Sequence, residues 1–135
     1  MRGLQLTLTQ EDFKILTDCL LNSKLTALNK KRLYQELCEA RVVDRERLPL
    51  NVVCRNAKVL VWNMDKQQTF TVRIVSPEEF DENENCIAMD DPIAIALLGY
   101  PSGAVTEWEM PDGVNRFKVV SVSQSETGSA TFIKD

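Results

Sequence analysis

What most constrains this chain is a change in hydrophobic period at Pro49. Before that proline, apolar residues recur at helical spacing; beyond it they nearly alternate, as in strands buried on one face. Phe13, Leu16 and Leu20, with Ile15 and Cys19 beside them, make a stripe that fades after Leu21, so residues 10–22 are the first expected helix. Thr9 is placed to cap it, and Leu8 and Phe13 can staple its entry. Asn29 offers a second cap, and Leu33, Leu37 and Ala40 continue one face to about Arg41. These two helices, joined by residues 22–28, predict a short αα-hairpin.

In the second part, residues 58–64 and 69–75 read as strands around the polar Asp65-Lys66-Gln67-Gln68, which suits a hairpin turn. Residues 86–89 form a short strand. Asp91 caps, and Pro92 opens, a helix that runs through Leu98 until Gly99 stops it. Residues 105–110 and 114–123 form another hairpin around Pro111-Asp112-Gly113. The last dozen residues are polar and read as frayed. Helices followed by mostly antiparallel strands with one interposed helix make an α+β chain.

Composition narrows the function. The net charge of −4 is uneven: residues 1–50 carry nine Lys/Arg against seven Asp/Glu, residues 51–135 seven against thirteen. An acidic second part argues against gripping a phosphate backbone, so direct DNA binding is not expected. No apolar run approaches the roughly 20 residues that span a bilayer, and the N-terminus lacks the features of a signal peptide, so no membrane association and a cytoplasmic location are expected. Cys19, Cys38, Cys54 and Cys86 stand singly with no histidine anywhere, which reads as reduced, mostly buried thiols rather than a zinc site.

One stretch carries a resemblance. Ile87-Ala88-Met89-Asp90-Asp91-Pro92-Ile93-Ala94-Ile95-Ala96-Leu97-Leu98-Gly99, then Gly103 and Trp108-Glu109-Met110-Pro111-Asp112-Gly113, resembles the C-terminal domain of the GreA/GreB transcript-cleavage factors. That family shows a strand, a Pro-initiated helix ending in Leu-Leu-Gly, a glycine, and a strand running into Pro-x-Gly. Within it the chain is similar to the short-hairpin regulator of nucleoside diphosphate kinase, through Leu33-x-x-Glu36-Leu37, Leu48-Pro49-x-x-Val52-Val53 and Asn56-x-Lys58-Val59.

The resemblance implies two parts: a coiled-coil-like helical hairpin over residues 1–48 and an FKBP-like, mostly antiparallel sheet domain with one packed helix over residues 49–135. It implies RNA polymerase as partner, contacted near the rim of the secondary channel by Met89, Asp90, Asp91, Pro92 and Ile95. Ile93, Ala96 and Leu97 read instead as core. In long-hairpin members, acidic residues at the hairpin tip help hold a catalytic magnesium ion. Here residues 22–32 contain Lys24, Lys30, Lys31 and Arg32 and no carboxylate, so no oxygen ligand charge is offered to Mg²⁺. These four cations are channel-facing candidates, although a basic run at a helix start is more simply a solvated face.

No catalytic, cofactor-binding or metal-ligating residue is expected, and the chain is read as a monomeric, non-enzymatic regulator. Glu78, Glu79, Asp81, Glu82 and Glu84 lack the alternation and central glycine of a calcium loop and read as a solvated acidic loop. Two alternatives remain: prolyl isomerisation borrowed from an FKBP-like fold, and a general protein-interaction module using the hairpin.

Overall fold

A computed structural model describes residues 5–22 and 25–124. Lys24 and the polar residues beyond 124 lie outside the described residues. The chain is α+β: a short helical part precedes a curled mixed sheet that holds one further helix.

The Thr9 hydroxyl accepts the Asp12 N–H at 3.1 Å and so caps α1 (Gln10–Asn22), as its sequence position predicts. α2 (Ala27–Cys38) differs from expectation at both ends. Its cap is Thr26, whose hydroxyl accepts the Asn29 N–H at 3.1 Å, which moves Asn29 inside the first turn. It stops at Cys38 because Arg41 enters a strand. β1 (Thr7–Thr9) and β2 (Arg41–Val43) pair in parallel, with Leu8 opposite Val42, and tie together the two chain ends of the helical part. The Arg41 N–H also donates to the Leu6 carbonyl at 2.8 Å.

The second sheet contains β3 (Lys58–Asn63), β4 (Gln68–Val75), β5 (Cys86–Ala88), β6 (Val105–Met110) and β7 (Gly113–Ser123), in the order β5-β4-β3-β7-β6. Only β4 and β5 run parallel; the other neighbours are antiparallel. The β3–β4 and β6–β7 turns lie side by side and are cross-linked. Asp65 accepts the Arg116 N–H at 2.6 Å, Lys66 pairs with Asp112, and the buried Asn63 amide donates to Asn115 Oδ1 at 3.1 Å. Arg116 and Lys66 hold the exposed Asp65 and Asp112 carboxyls below the usual range.

One face of this sheet builds the core. Val59, Val61, Ile74, Phe117 and Val119 are buried against α3 (Pro92–Leu97), and the cluster continues without a break into Leu8, Leu16, Leu33 and Leu37 of the helical part. Gly99 sits where the two parts meet. It has φ +89°, and a Cβ built there would lie 2.8 Å from Leu8 Cδ2. A residue without a side chain is needed twice over, for the backbone conformation and for the close approach.

Candidate partner-docking site

The residues expected to face a partner occupy the exit from β5 into α3. The loop is built from local hydrogen bonds. The Met89 N–H donates to the Val75 carbonyl at 2.8 Å, and the Asp91 N–H to the Ala88 carbonyl at 2.9 Å. Asp91 Oδ1 accepts the Ile93 N–H at 2.9 Å, and Pro92 occupies the first helical turn, where its missing N–H costs nothing. The result is a corner closed by its own hydrogen bonds.

This corner separates the five candidates. Asp90 and Pro92 are exposed and Asp91 is half-buried. Met89 is 0% exposed and Ile95 3%, both in the core, so a partner meeting this corner as it stands touches neither. The family resemblance carries their position but not their burial; the strand-to-helix bend turns them inward. β4 leaves the sheet beside β5, since Val75 lies opposite Ala88, so Ser76 and Pro77 start from the same edge as Met89 and Asp90. The exposed Glu78, Glu79, Phe80, Asp81, Glu82 and Glu84 follow on that connection. The exit therefore joins acidic side chains to an exposed proline and phenylalanine, a surface suited to a basic partner with apolar spots.

The channel-facing candidates are divided as well. Lys30 and Lys31 are exposed, but the Arg32 guanidinium reaches Glu107 of β6 at 2.7 Å. Next to it Asn29, 3% exposed, makes a contact that sequence reasoning missed. Its Nδ2 donates to the Glu109 carbonyl at 2.9 Å and its Oδ1 accepts the Glu109 N–H at 2.8 Å. One side-chain amide thus occupies both hydrogen-bonding groups of a residue on the outer strand of the sheet. Nothing local in the sequence signals this; an asparagine at a helix start reads as a cap. The first turn of α2 is therefore stitched to β6. Behind the stitch, Leu33, Glu36, Ala96, Tyr100 and Trp108 help line a cavity of about 20 Å³.

The helical part is tied to the sheet a second time through Asp12. It is buried, and its carboxylate accepts the Arg55 N–H at 3.4 Å, while Arg55 also pairs with Glu11 at 3.6 Å. Burial pushes the Asp12 carboxyl up, against the pull of Arg55. Burial also raises the Cys54 thiol to about 11, so it is not a nucleophile at neutral pH. Cys19 and Cys54 are buried, Cys86 is half-buried, and Cys38 is exposed at the end of α2.

Comparison with known proteins places this architecture. A sequence profile described as "Transcription elongation factor, GreA/GreB, C-term" matches residues 48–124, more than half of the chain. The chain belongs to the GreA/GreB family. It is 33% identical to transcription elongation factor GreA of Clostridium beijerinckii over 94 residues, covering 70% of this chain and 59% of that protein. It is 31% identical to GreA of Helicobacter hepaticus over 86 residues, 64% of this chain and 53% of that one. The chain thus spans less than two thirds of these relatives. A solved GreA/GreB factor from Nitrosomonas europaea superposes with a TM-score of 0.64 at 29% identity, covering 90% of this chain and 99% of that one. Gfh1 of Thermus aquaticus, at a TM-score of 0.50 and 20% identity, shares the fold. In this GreA/GreB chain the matched segment contains the whole β5–α3 corner and the strand to which α2 is stitched.

Proposed function

We propose that this chain is a bacterial, cytoplasmic regulator that binds RNA polymerase near the secondary channel, as a monomer and without promoting transcript cleavage. The sheet part, read as FKBP-like, docks through Asp90, Asp91 and Pro92. The observation that carries the proposal is the corner itself: a capped, proline-initiated helix that leaves Asp90 and Pro92 exposed inside the segment matched to the family. The helical part supports the non-cleaving reading. Helices of 13 and 12 residues are about 20 and 18 Å long at 1.5 Å per residue. Residues 22–32 provide no carboxylate for Mg²⁺, and the start of α2 is held on β6 by Asn29 and Arg32 rather than projecting freely. The short hairpin supports the resemblance to the regulator of nucleoside diphosphate kinase. Prolyl isomerisation gains no support from the cavity beside Trp108, whose 20 Å³ or so is the scale of one or two waters.

The test is binding of the full chain to core RNA polymerase with a full-length Gre factor as competitor, alongside RNA cleavage in a stalled complex. Saturable, competitive binding without cleavage, weakened by Asp90→Lys and Pro92→Ala, is the expected result. Absence of binding at concentrations where the Gre factor saturates refutes the docking reading, and stimulated cleavage refutes the non-catalytic one.

A further inference from the structure

The acidic total of the second part conceals a segregation of charge. Of the seven Lys/Arg in residues 51–135, four are on strands of the five-stranded sheet: Lys58, Arg73, Arg116 and Lys118. Register places them all on one face, the face opposite the core. Lys58 lies across from Arg73, Trp62 from Lys118 and Thr69, Leu60 from Thr71 and Ser121, and Lys118 from Val105. Of the thirteen acidic residues in the same half, register brings only Glu107 and Glu109 to that face; the others lie in turns, in loops or beyond 124. Glu107 is neutralised by Arg32, and Arg116 by Asp65. Lys58, Arg73 and Lys118 have no ion-pair partner among the described residues, and Glu109 lies at the far end of β6.

Among the described residues, α2 reaches this face at its β6 edge, through Arg32 and Glu107. The central side chains of the face, Leu60 and Trp62, belong neither to the core cluster nor to the hydrophobic residues packed against it, whereas Val59, Val61 and Asn63, alternating with them, are buried. Val105 and Val114 on the same face are 45% and 48% exposed. A row of four strands, Thr69, Trp62, Lys118 and Val105, spans about 14 Å, and Lys58 to Trp62 about 13 Å along the strand. The patch is therefore a partly solvated sheet surface with a half-buried indole near its centre, cations on two sides and hydroxyls between them.

We propose that this face binds single-stranded nucleic acid, with one base stacked on Trp62 and the adjoining phosphates held by Lys58, Lys118 and Arg73. The chemistry selects that ligand. An acidic peptide would use the cations but gives no reason for a half-buried indole among them. A duplex keeps its base faces stacked and offers none to a sheet surface. An unpaired strand has both a π-face and a negative backbone, and sheet platforms with exposed aromatics and flanking cations recognise both. A single aromatic and three cations without ion-pair partners, one of which, Arg73, also donates to the Asn56 carbonyl at 3.0 Å, make the site short and weak, tolerant of sequence, and strongly dependent on salt. The proposal uses none of Asp90, Asp91 and Pro92, so it stands independently of polymerase docking.

Anisotropy titrations of the full chain against a fluorescein-labelled ten-nucleotide uridine RNA and its thymidine DNA counterpart test the proposal. Dissociation constants of roughly 10⁻⁴ to 10⁻⁶ M, rising with salt, are expected. Trp62→Ala should weaken binding about tenfold while Trp62→Phe, which keeps a ring, stays within about threefold. Lys118→Glu and Lys58→Glu should each weaken binding and flatten its salt dependence. Because these side chains lie outside the core, circular dichroism melts of the variants should match the parent; should Trp62→Ala fail to fold, Trp62→Phe and Lys118→Glu decide alone. Three results overturn the proposal: no binding to either oligonucleotide, binding lost only on Lys30→Glu with Lys31→Glu, or binding insensitive to Trp62→Ala and displaced equally by polyglutamate. The last would assign the face to an acidic protein segment.

Discussion

Replacing Asn29 by alanine removes two hydrogen bonds at once, both to the backbone of Glu109 at 2.8 and 2.9 Å. A net contribution of about 1 kcal/mol for each is ordinary, and an abandoned buried backbone group costs about 1–3 kcal/mol more. Two effects reduce that. Glu109 is only half-buried, so water can reach part of the vacated edge, and alanine is the better helix former by about 0.5 kcal/mol. The expected loss is about 2–3 kcal/mol, or about 7–10 °C in Tm for a chain of this size. Urea and thermal unfolding of Asn29→Ala measure it, and hydrogen exchange at the Glu109 amide should accelerate with it. Asn29→Asp sharpens the test. Its carboxylate still accepts from the Glu109 N–H but faces the Glu109 carbonyl with no proton to give, so its deficit should shrink at acid pH when the carboxyl can donate. A loss below about 0.5 kcal/mol, or equal deficits in both variants at every pH, would refute the idea that this amide joins the helical part to the sheet.

The Asp12 carboxyl is raised by burial, so between its unfolded and folded pKa the native state holds more protons than the unfolded one, and its contribution to stability declines as pH rises through that window. Asp12→Asn keeps an acceptor for the Arg55 N–H, and its stability relative to the parent should improve as pH rises through that window, read from urea midpoints; a pH-independent difference would contradict the linkage. Gly99→Ala meets both a positive φ and Leu8, and should cost about 2–4 kcal/mol, whereas Gly103→Ala at φ +92° with nothing within 4 Å should cost about 1 kcal/mol. Equal losses in the two unfolding curves would show that packing at Gly99 is irrelevant. With a thiol reagent at neutral pH, Cys38 should react first and Cys19 and Cys54 only on unfolding, followed by mass spectrometry.

Wherever local chemistry decides, the sequence was legible. Thr9 caps α1 as read, Asp91 and Pro92 start α3, and the alternation around residues 58–63 and 105–110 places strands with their buried faces. These signals need only a few neighbouring residues. What escaped depends on contacts far along the chain. β1 and β2 are three residues each and exist because Thr7 meets Arg41 across the intervening hairpin, so no window of sequence contains the pair. Asn29 resembled a cap because its partner stands 80 positions away. Met89 and Ile95 enter through the family resemblance, which carries position and not burial, and neither alternation nor helical spacing is defined over a three-residue strand and a six-residue helix to reveal their inward turn.

The stitch between α2 and β6 has a consequence for solubility. β6 is the last strand of its sheet, and an uncovered last strand offers a row of donors and acceptors to any other chain in extended form. By occupying both backbone groups of Glu109, Asn29 withdraws part of that template, while at the opposite end β5 is only three residues long. A protein whose helical hairpin swung away would therefore expose strand-pairing surface along with whatever it gained in reach. Seen this way, the hairpin is also a guard against self-association, and shortening it further carries a risk of aggregation before it carries any loss of regulation.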